Sequence, residues 1–467
     1  MRTFRNRTTL GLCVIMALAA GSASATNGYY THGLGTKSKA QAGAGSANPE
    51  ELLTIATNPA GLAVLPESID AGLGFFLPVR NYRTTDSMAN GGCFPGMGCA
   101  FTIGPNDIRS ENEFFPIPFA AMNWHLSEVD HLAVAFFGRG GMNTKWVGGT
   151  ASFDPDGAAG PSGPVTLDGT YGGGTAGVDL MQGFLNLSYA REFGDTFSAG
   201  ASAIFAIQRF EARGVRNFAP YTKTYVESFF TTGQPRQPKN LSGNGHEMSY
   251  GFGGTVGVRW QPVEMFSIAA AYETKMYMSE FSNYSDLFAE GGDFDMPATW
   301  TIGVALKPTD TLAFMFDVQE IEYSDIASVG NPIQNLFDCP IFNPSGNFQN
   351  CLGGNKGGGF GWEDMTVYKF GASWKYSDDW TWRAGYSFTD QPIPRDQMTF
   401  NILAPAVMEE HLTVGFSQQL PSGNEINLSF MVAPSNKIRG ENNFDPSQDV
   451  VLEMTQYELE LSYSWKR

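Results

Sequence analysis

Charge is scarce in this 467-residue sequence: Asp, Glu, Lys and Arg together make up 16%, where soluble proteins carry about 25%. Runs of about 20 apolar residues, which helical membrane proteins need, are missing, and the mean hydropathy is only −0.18. Basic residues are few, 29 Lys and Arg against 47 Asp and Glu for a net charge of −18. That is the opposite of a nucleic-acid footprint, so no nucleic acid is expected as a partner. The five His are scattered at 32, 125, 131, 246 and 411. No metal-spaced His/Cys cluster, Gly-x-Ser-x-Gly or phosphate loop occurs, so no metal, cofactor or enzymatic activity is expected. Glycine (55 residues) and aromatics (13%) are plentiful, and so much apolar and aromatic content excludes disorder. An all-β protein with a large apolar surface remains, either a soluble sandwich or propeller or a membrane barrel.

Arg2, Arg5 and Arg7 precede the apolar run Leu10–Ala20, which is followed by Ala23-Ser24-Ala25. This predicts a secretory signal peptide over 1–25, cut before Thr26; the apolar run is too short to span about 30 Å of hydrocarbon. Its removal takes three Arg and no acid, moving the charge from −18 to −21. Cys93, Cys99, Cys339 and Cys351 then remain. An even count in an exported chain points to disulfides, and the two local pairs are the simplest of three connectivities. Zinc is the rival, but neither pair has a His nearby.

Beyond residue 66, segments of roughly ten to sixteen residues alternate apolar with small or polar positions, the period of a two-faced strand. Phe197, Ala199, Ala201, Ala203, Phe205 and Ile207 oppose Ser198, Gly200, Ser202 and Gln208; Tyr457, Leu459, Leu461, Tyr463 and Trp465 oppose Glu458, Glu460, Ser462 and Ser464. Sandwich strands usually have about 5–6 residues, whereas these are nearer the length that crosses a bilayer at a tilt. About fourteen strands are expected. Their connections alternate between short turns, as at Gly194-Asp195 and Asp378-Asp379, and long links at 81–112, 147–176, 213–245, 284–294, 325–363, 392–407 and 437–449. Even strand number with short turns on one side and long loops on the other is the outer-membrane pattern. The fold class predicted is a transmembrane antiparallel β-barrel over 67–467, and both cysteine pairs fall in its long loops.

Residues 26–66 do not fit a barrel wall. Small residues, Gly33-Leu34-Gly35 and Ala42-Gly43-Ala44-Gly45, precede a short apolar helix around Leu52–Ala56 that Pro59 is expected to end. The segment is either a periplasmic tail or a plug packed in the lumen against an apolar ligand or wall patch.

Gly33-Leu34-Gly35, Gly43, Gly45 and Asn58-Pro59-Ala60 resemble the N-terminal hatch of FadL-type outer-membrane transporters of long-chain fatty acids and aromatic hydrocarbons. Met296-Pro297-Ala298-Thr299-Trp300, Trp362-Glu363-Asp364, Tyr368-Lys369-Phe370-Gly371, Trp380-Thr381-Trp382-Arg383-Ala384-Gly385 and Gln391-Pro392-Ile393-Pro394 are similar to that family's later strands in order and spacing. Two features depart from it: the long 147–176 link, and an end at Trp465-Lys466-Arg467 rather than on an aromatic residue. The resemblance implies a 14-stranded barrel plugged by a hatch over 26–66, in which a hydrophobic ligand is captured at outer loops and released sideways at a kinked third strand. It makes Asn58, Pro59 and Ala60 in the hatch, and Gly138, Gly140 and Gly141 in the third strand, the expected gating residues. The bland alternative for the three glycines is close packing against the hatch.

Phe218, Tyr221, Tyr225 and Phe229 are spaced 3, 4 and 4, one helical face; on an outer loop they form either intraloop packing or a ligand groove. Strand parity places Arg259, Lys275, Lys369, Arg383 and His411 in the lumen beside Glu273, Asp317, Glu458 and Glu460, with Arg209 and Arg213 at the outer end of the fifth strand. Arg139, Arg209 and Lys275 are the candidates for binding a fatty-acid carboxylate, the alternative being internal salt bridges. The function expected is uptake of hydrophobic compounds, long-chain fatty acids first, by a monomer inserted into outer-membrane lipid by the barrel-assembly machinery. A general porin and a surface adhesin are the rivals.

Overall fold

The computed structural model describes residues 27–94, 98–157 and 160–467; the signal peptide expected over 1–25 lies outside the described residues. Fourteen strands build the wall: β1 (Ser68–Thr84), β2 (Phe115–His125), β3 (Asp130–Asn143), β4 (Gly177–Phe193), β5 (Phe197–Arg213), β6 (Glu247–Val263), β7 (Phe266–Glu273), β8 (Thr299–Thr309), β9 (Leu312–Ile321), β10 (Met365–Lys375), β11 (Trp380–Phe388), β12 (Glu410–Gln419), β13 (Glu425–Asn442) and β14 (Asp445–Lys466). Each pairs antiparallel with its sequence neighbours, and β14 returns to β1 along Ser68↔Lys466 through Thr84↔Val450, closing the ring. Closure pairs each wall strand with two neighbours, the way a sheet satisfies its backbone in hydrocarbon, although β2 and β3 are paired over only part of their length. Among the described residues no helix is long and apolar enough to cross a membrane.

The two-faced reading holds strand by strand. On β5, Ser198, Ser202 and Gln208 are buried toward the lumen, while outward residues on the adjoining strands, such as Leu187 and Val256, are more than half exposed. Trp374, Trp382, Tyr463 and Trp465 gather outward at the ends joined by short turns, an interfacial girdle.

One connection is not the long link expected. Residues 437–449 are strand: β13 runs to Asn442, β14 begins at Asp445, and the ladder continues through Lys437↔Glu453, Arg439↔Val451 and Glu441↔Asp449. The hairpin projects beyond the apolar belt; its buried face mixes polar Asn442, Asp445 and Gln448 with Ile438 and Phe444, so the alternation of apolar and polar residues that marks the other strands is erased. The outer links also carry a small sheet of 101–103, 150–153 and 165–168. Both local disulfides, Cys93–Cys99 and Cys339–Cys351, are closed there.

Residues 27–67 fill the lumen. The helix expected around Leu52–Ala56 forms as a 3-10 turn, but Pro59 does not end it: Pro59 opens a second 3-10 helix, Pro59–Val64, with Asn58 as its cap. Proline suits a first helical position because that N–H is unpaired anyway. Leu52, Leu53, Ile55 and Leu62 bury themselves against Phe119, Ala133, Ala135, Phe137 and Phe184, so a wall patch on β2–β4 lines these turns.

Candidate functional site

Small side chains are what let this segment dock. A Cβ on wall glycine 385 would sit 2.2 Å from the Gln41 carbonyl carbon, and one on Gly200 2.6 Å from that of Pro59. Gly200 and Gly385 are glycine because the segment's backbone lies against them. Asn58 adds specific bonds: Oδ1 accepts from the Ala60 amide at 3.1 Å, and Nδ2 donates to the carbonyls of Ser46 and Val258.

Charges tie the segment down as well. Lys39 is held between Glu458 and Glu460 of β14, the latter at 2.6 Å, and Thr36 donates to Glu460 at 2.9 Å. Arg383 donates to Glu50 at 2.6 Å, Asp317 accepts from the amides of Gly45 and Ser46, and Arg259 donates to the Ala47 carbonyl at 2.9 Å. Lys369 donates to the His32 carbonyl, and His411 stacks on His32 with ring centroids 5.7 Å apart. Burial would lower the Lys39 ammonium, but its two flanking carboxylates hold it above its ordinary range. Burial pushes the Glu51 carboxyl up to about 8, although the Ser38 amide donates to it at 2.7 Å.

The wall is interrupted at β3. Gly138 pairs with Gly183 and Gly140 with Gln182, so Arg139 is an extra residue, a bulge. Strand β2 accompanies β3 only from His125↔His131 to Phe119↔Phe137, yet stays on β1 to Phe115. Above Phe119 the two strands part. Pro116 and Pro118 lie in the parted stretch of β2 and offer no ladder donor. The Phe115-Pro116-Ile117-Pro118-Phe119 run was the signal that sequence reasoning missed.

The N-terminal segment occupies that opening from inside. Tyr30 bridges to Gly140, the Thr31 amide donates to the Arg139 carbonyl at 2.8 Å, and the Gly141 amide donates to the Tyr29 carbonyl at 3.0 Å. A Cβ on Gly140 would meet Tyr29 O at 2.9 Å and Gln182 Oε1 at 2.4 Å. Gly28, at φ 66°, packs so tightly under the Tyr323 ring that a side chain has no room.

Above the polar lower lumen lies an apolar one. A pocket of about 510 Å³ among the outer links is lined by Phe210, Phe218, Phe288, Phe360, Phe400 and Leu403 with their neighbours. From it runs a chain of rings: Phe210–Phe288 at 4.7 Å, Phe288–Phe294 at 4.8 Å, Phe294–Tyr29 at 6.2 Å and Tyr29–Tyr30 at 5.1 Å. A polar cavity of about 370 Å³ lies within the docked segment, and a second of about 450 Å³ lies between it and the wall residues Arg139, Glu273, Thr301 and Lys369; the two share Leu34, Gly43 and Thr57.

The expected aromatic face divides. Phe218 and Tyr221 sit in a 3-10 turn, Arg216–Tyr221, Tyr225 and Phe229 in an α-helix, Lys223–Thr232, and extended Thr222 (ψ 148°) separates them. Phe218 is buried in the pocket, Tyr221 stacks on Phe444, Tyr225 packs near the Cys339–Cys351 bridge, and Phe229 is exposed. They do not form one groove.

The three candidate cations are all matched. Arg139 makes a bidentate pair with Glu273 at 2.9 and 2.5 Å and stacks over Tyr30 and Phe184. Arg209 shares the outward face of Phe205 and Ile207 and meets Asp179 at 3.2 Å, so it faces away from the lumen. Lys275 lies past the end of β7, paired with Asp295 at 2.9 Å. His131, not expected inside, is buried at the short-turn end beside His125.

A sequence profile described as outer membrane protein transport protein (OMPP1/FadL/TodX) matches residues 16–442. A long-chain fatty acid transport protein of Salmonella typhi is 25% identical over 250 residues, 50% of this chain and 55% of that protein. The match thus spans little more than half of that curated relative's length. Among solved structures, a Pseudomonas aeruginosa FadL homologue superposes with TM-score 0.64 at 14% identity, over 94% of this chain and 99% of that one. The P. putida toluene transporter TodX gives TM-score 0.58 at 15% identity, over 94% and 99%. At such identities these two likenesses speak to fold alone.

Proposed function

Since the chain belongs to the outer membrane protein transport (OMPP1/FadL/TodX) family, we propose that it is an outer-membrane uptake channel for hydrophobic compounds with a lateral exit. A ligand is captured in the apolar pocket at the outer links, passes along the rings from Phe210 to Tyr30, and leaves into the bilayer between β2 and β3. The reading rests above all on one observation: residues 29–31 are bonded to β3 where β2 has parted from it. The segment 27–67 is then a hatch, with Asn58, Pro59 and Ala60 anchoring it and Gly140 giving its N-terminal strand room. Movement follows the ligand's own gradient. The closed ring needs no second copy to complete its pore, consistent with a monomer inserted by the barrel-assembly machinery.

Vesicles containing the purified protein test this. They are expected to take up labelled fatty acids, alkanes or monoaromatics faster than protein-free vesicles while staying impermeable to small sugars. Sugar leakage without hydrophobic uptake would make the protein a porin, and the absence of either would reject transport altogether.

A further inference from the structure

The parting of β2 from β3 has an upper end. Residues 107–109 pair with β1 at Arg83 to Asn81, and Phe115 returns to β1 opposite Phe76. Between them the Ser110 amide still donates to the Arg80 carbonyl at 2.9 Å, and the next residues cross to the far side. The Glu111 amide donates to the Lys145 carbonyl at 2.9 Å, and the Lys145 amide donates to Ser110 Oγ at 3.0 Å. Asn112 Nδ2 donates to Asn143 Oδ1 at 2.6 Å, and Lys145 Nζ meets Glu111 at 2.7 Å. The chain after β3 is itself held to the β4 side, through the Thr144 amide on the Val178 carbonyl and the bridge of Trp146 to Ala176.

The two sides that part above Phe119 therefore meet again. The opening is a window: the Phe119↔Phe137 pair is its sill, residues 110–112 on 143–145 are its lintel, and 113–118 and 138–142 are its sides. Along the β2 side it is about 20 Å long, at roughly 3.3 Å per residue. Arg80 ties the lintel from inside. It is buried on the inner face of β1; Nη1 donates to the Asn143 carbonyl on the far side and Nη2 to the Asn112 carbonyl on the near side at 2.7 Å. A planar fork holds two acceptors at a fixed separation. The Lys145–Glu111 pair is exposed and contributes little, whereas charge-assisted bonds out of water are the costly ones to lose.

Resting on the uptake reading above, we infer that Arg80 is a positioning residue for the lateral exit, and that the lintel it ties sets which molecules leave. With both ends fixed the sides cannot spread, so the window passes single-chain molecules lengthwise and rejects molecules that carry two chains abreast. The same limit keeps two-tailed membrane lipids from entering the lumen through the wall.

Uptake into vesicles of labelled palmitate and of labelled hexyldecanoate, its isomer with two shorter chains on one carboxylate, tests the lintel, because composition and head group are equal. Wild type is expected to favour palmitate by about tenfold or more in protein-dependent uptake, a steric discrimination. Arg80→Met should lose most of that preference by admitting the branched isomer, with palmitate uptake unchanged and the vesicles still closed to small sugars. A misfolded variant would slow both isomers instead. Joining the lintel covalently with Glu111→Cys and Lys145→Cys should restore the preference to Arg80→Met, and in an otherwise wild-type chain should leave palmitate uptake as it was. Equal uptake of the two isomers by wild type, which needs no variant to fold, would overturn the lintel, as would Arg80→Met keeping the wild-type preference. In either case the uptake reading survives, whereas wild type taking up neither isomer strikes that reading itself.

Discussion

Deleting Arg139, together with Glu273→Gln, Pro116→Val and Pro118→Val, is expected to lower hydrophobic uptake by about tenfold or more, as a closed ladder replaces a bulged one. Capture in the outer pocket should be untouched. The register states why: Gly138 pairs with Gly183 and Gly140 with Gln182, so removing the residue between them makes β3 continuous against β4. Valines at 116 and 118 give β2 the donors to follow β3 past Phe119, and Glu273→Gln avoids stranding the carboxylate that Arg139 neutralises. Binding to purified protein and uptake into vesicles, measured side by side, separate capture from exit. Unchanged uptake in a folded variant would mean that the opening is not the route.

Lys39→Met should loosen the hatch more than any other single exchange within it. It strands Glu458 and Glu460 as neighbouring buried carboxylates on one face of β14; breaking a buried pair this way costs about 3–5 kcal/mol. Where cleavage follows the open population, proteolysis of residues 27–67 should accelerate by about a hundredfold or more. In planar bilayers the same variant should show ion-conducting openings absent from wild type. Adding Glu458→Gln and Glu460→Gln should restore protection, because no uncompensated charge then remains. Protection equal to wild type in the single variant would show that these charges do not hold the hatch.

Much of the wall was legible because its two faces meet different media. Lipid outside and a polar lumen inside force the alternation that places Arg259, Lys369, Arg383 and His411 inward. The disulfide pairs were legible from export and proximity. The 437–449 hairpin was not, since above the lipid its buried face carries polar Asn442, Asp445 and Gln448 beside Ile438 and Phe444, and the apolar–polar period vanishes. The face from Phe218 to Phe229 broke because Thr222 is extended, after Pro220 within the preceding turn. What each lumen charge touches was beyond reach: Lys39 meets Glu460 across 421 positions, and nothing local in either strand or hatch encodes that meeting. The opening needed two observations joined, a Gly-rich β3 and a Pro-x-Pro β2, and only register shows that they face one another.

A hydrophobic ligand is expected to leave through the wall and not through the hatch. Photolabelling tests this exit: a palmitate carrying a diazirine along its chain is irradiated during transport into vesicles, and the adducts are mapped by mass spectrometry. The lateral route predicts adducts at Phe115–Phe119 and at 137–141, flanking the parted stretch of β2 and β3. Adducts confined to the polar cavities through the hatch, at Gly45, Asn48, Glu50 and Thr57, with the wall unlabelled, would contradict it.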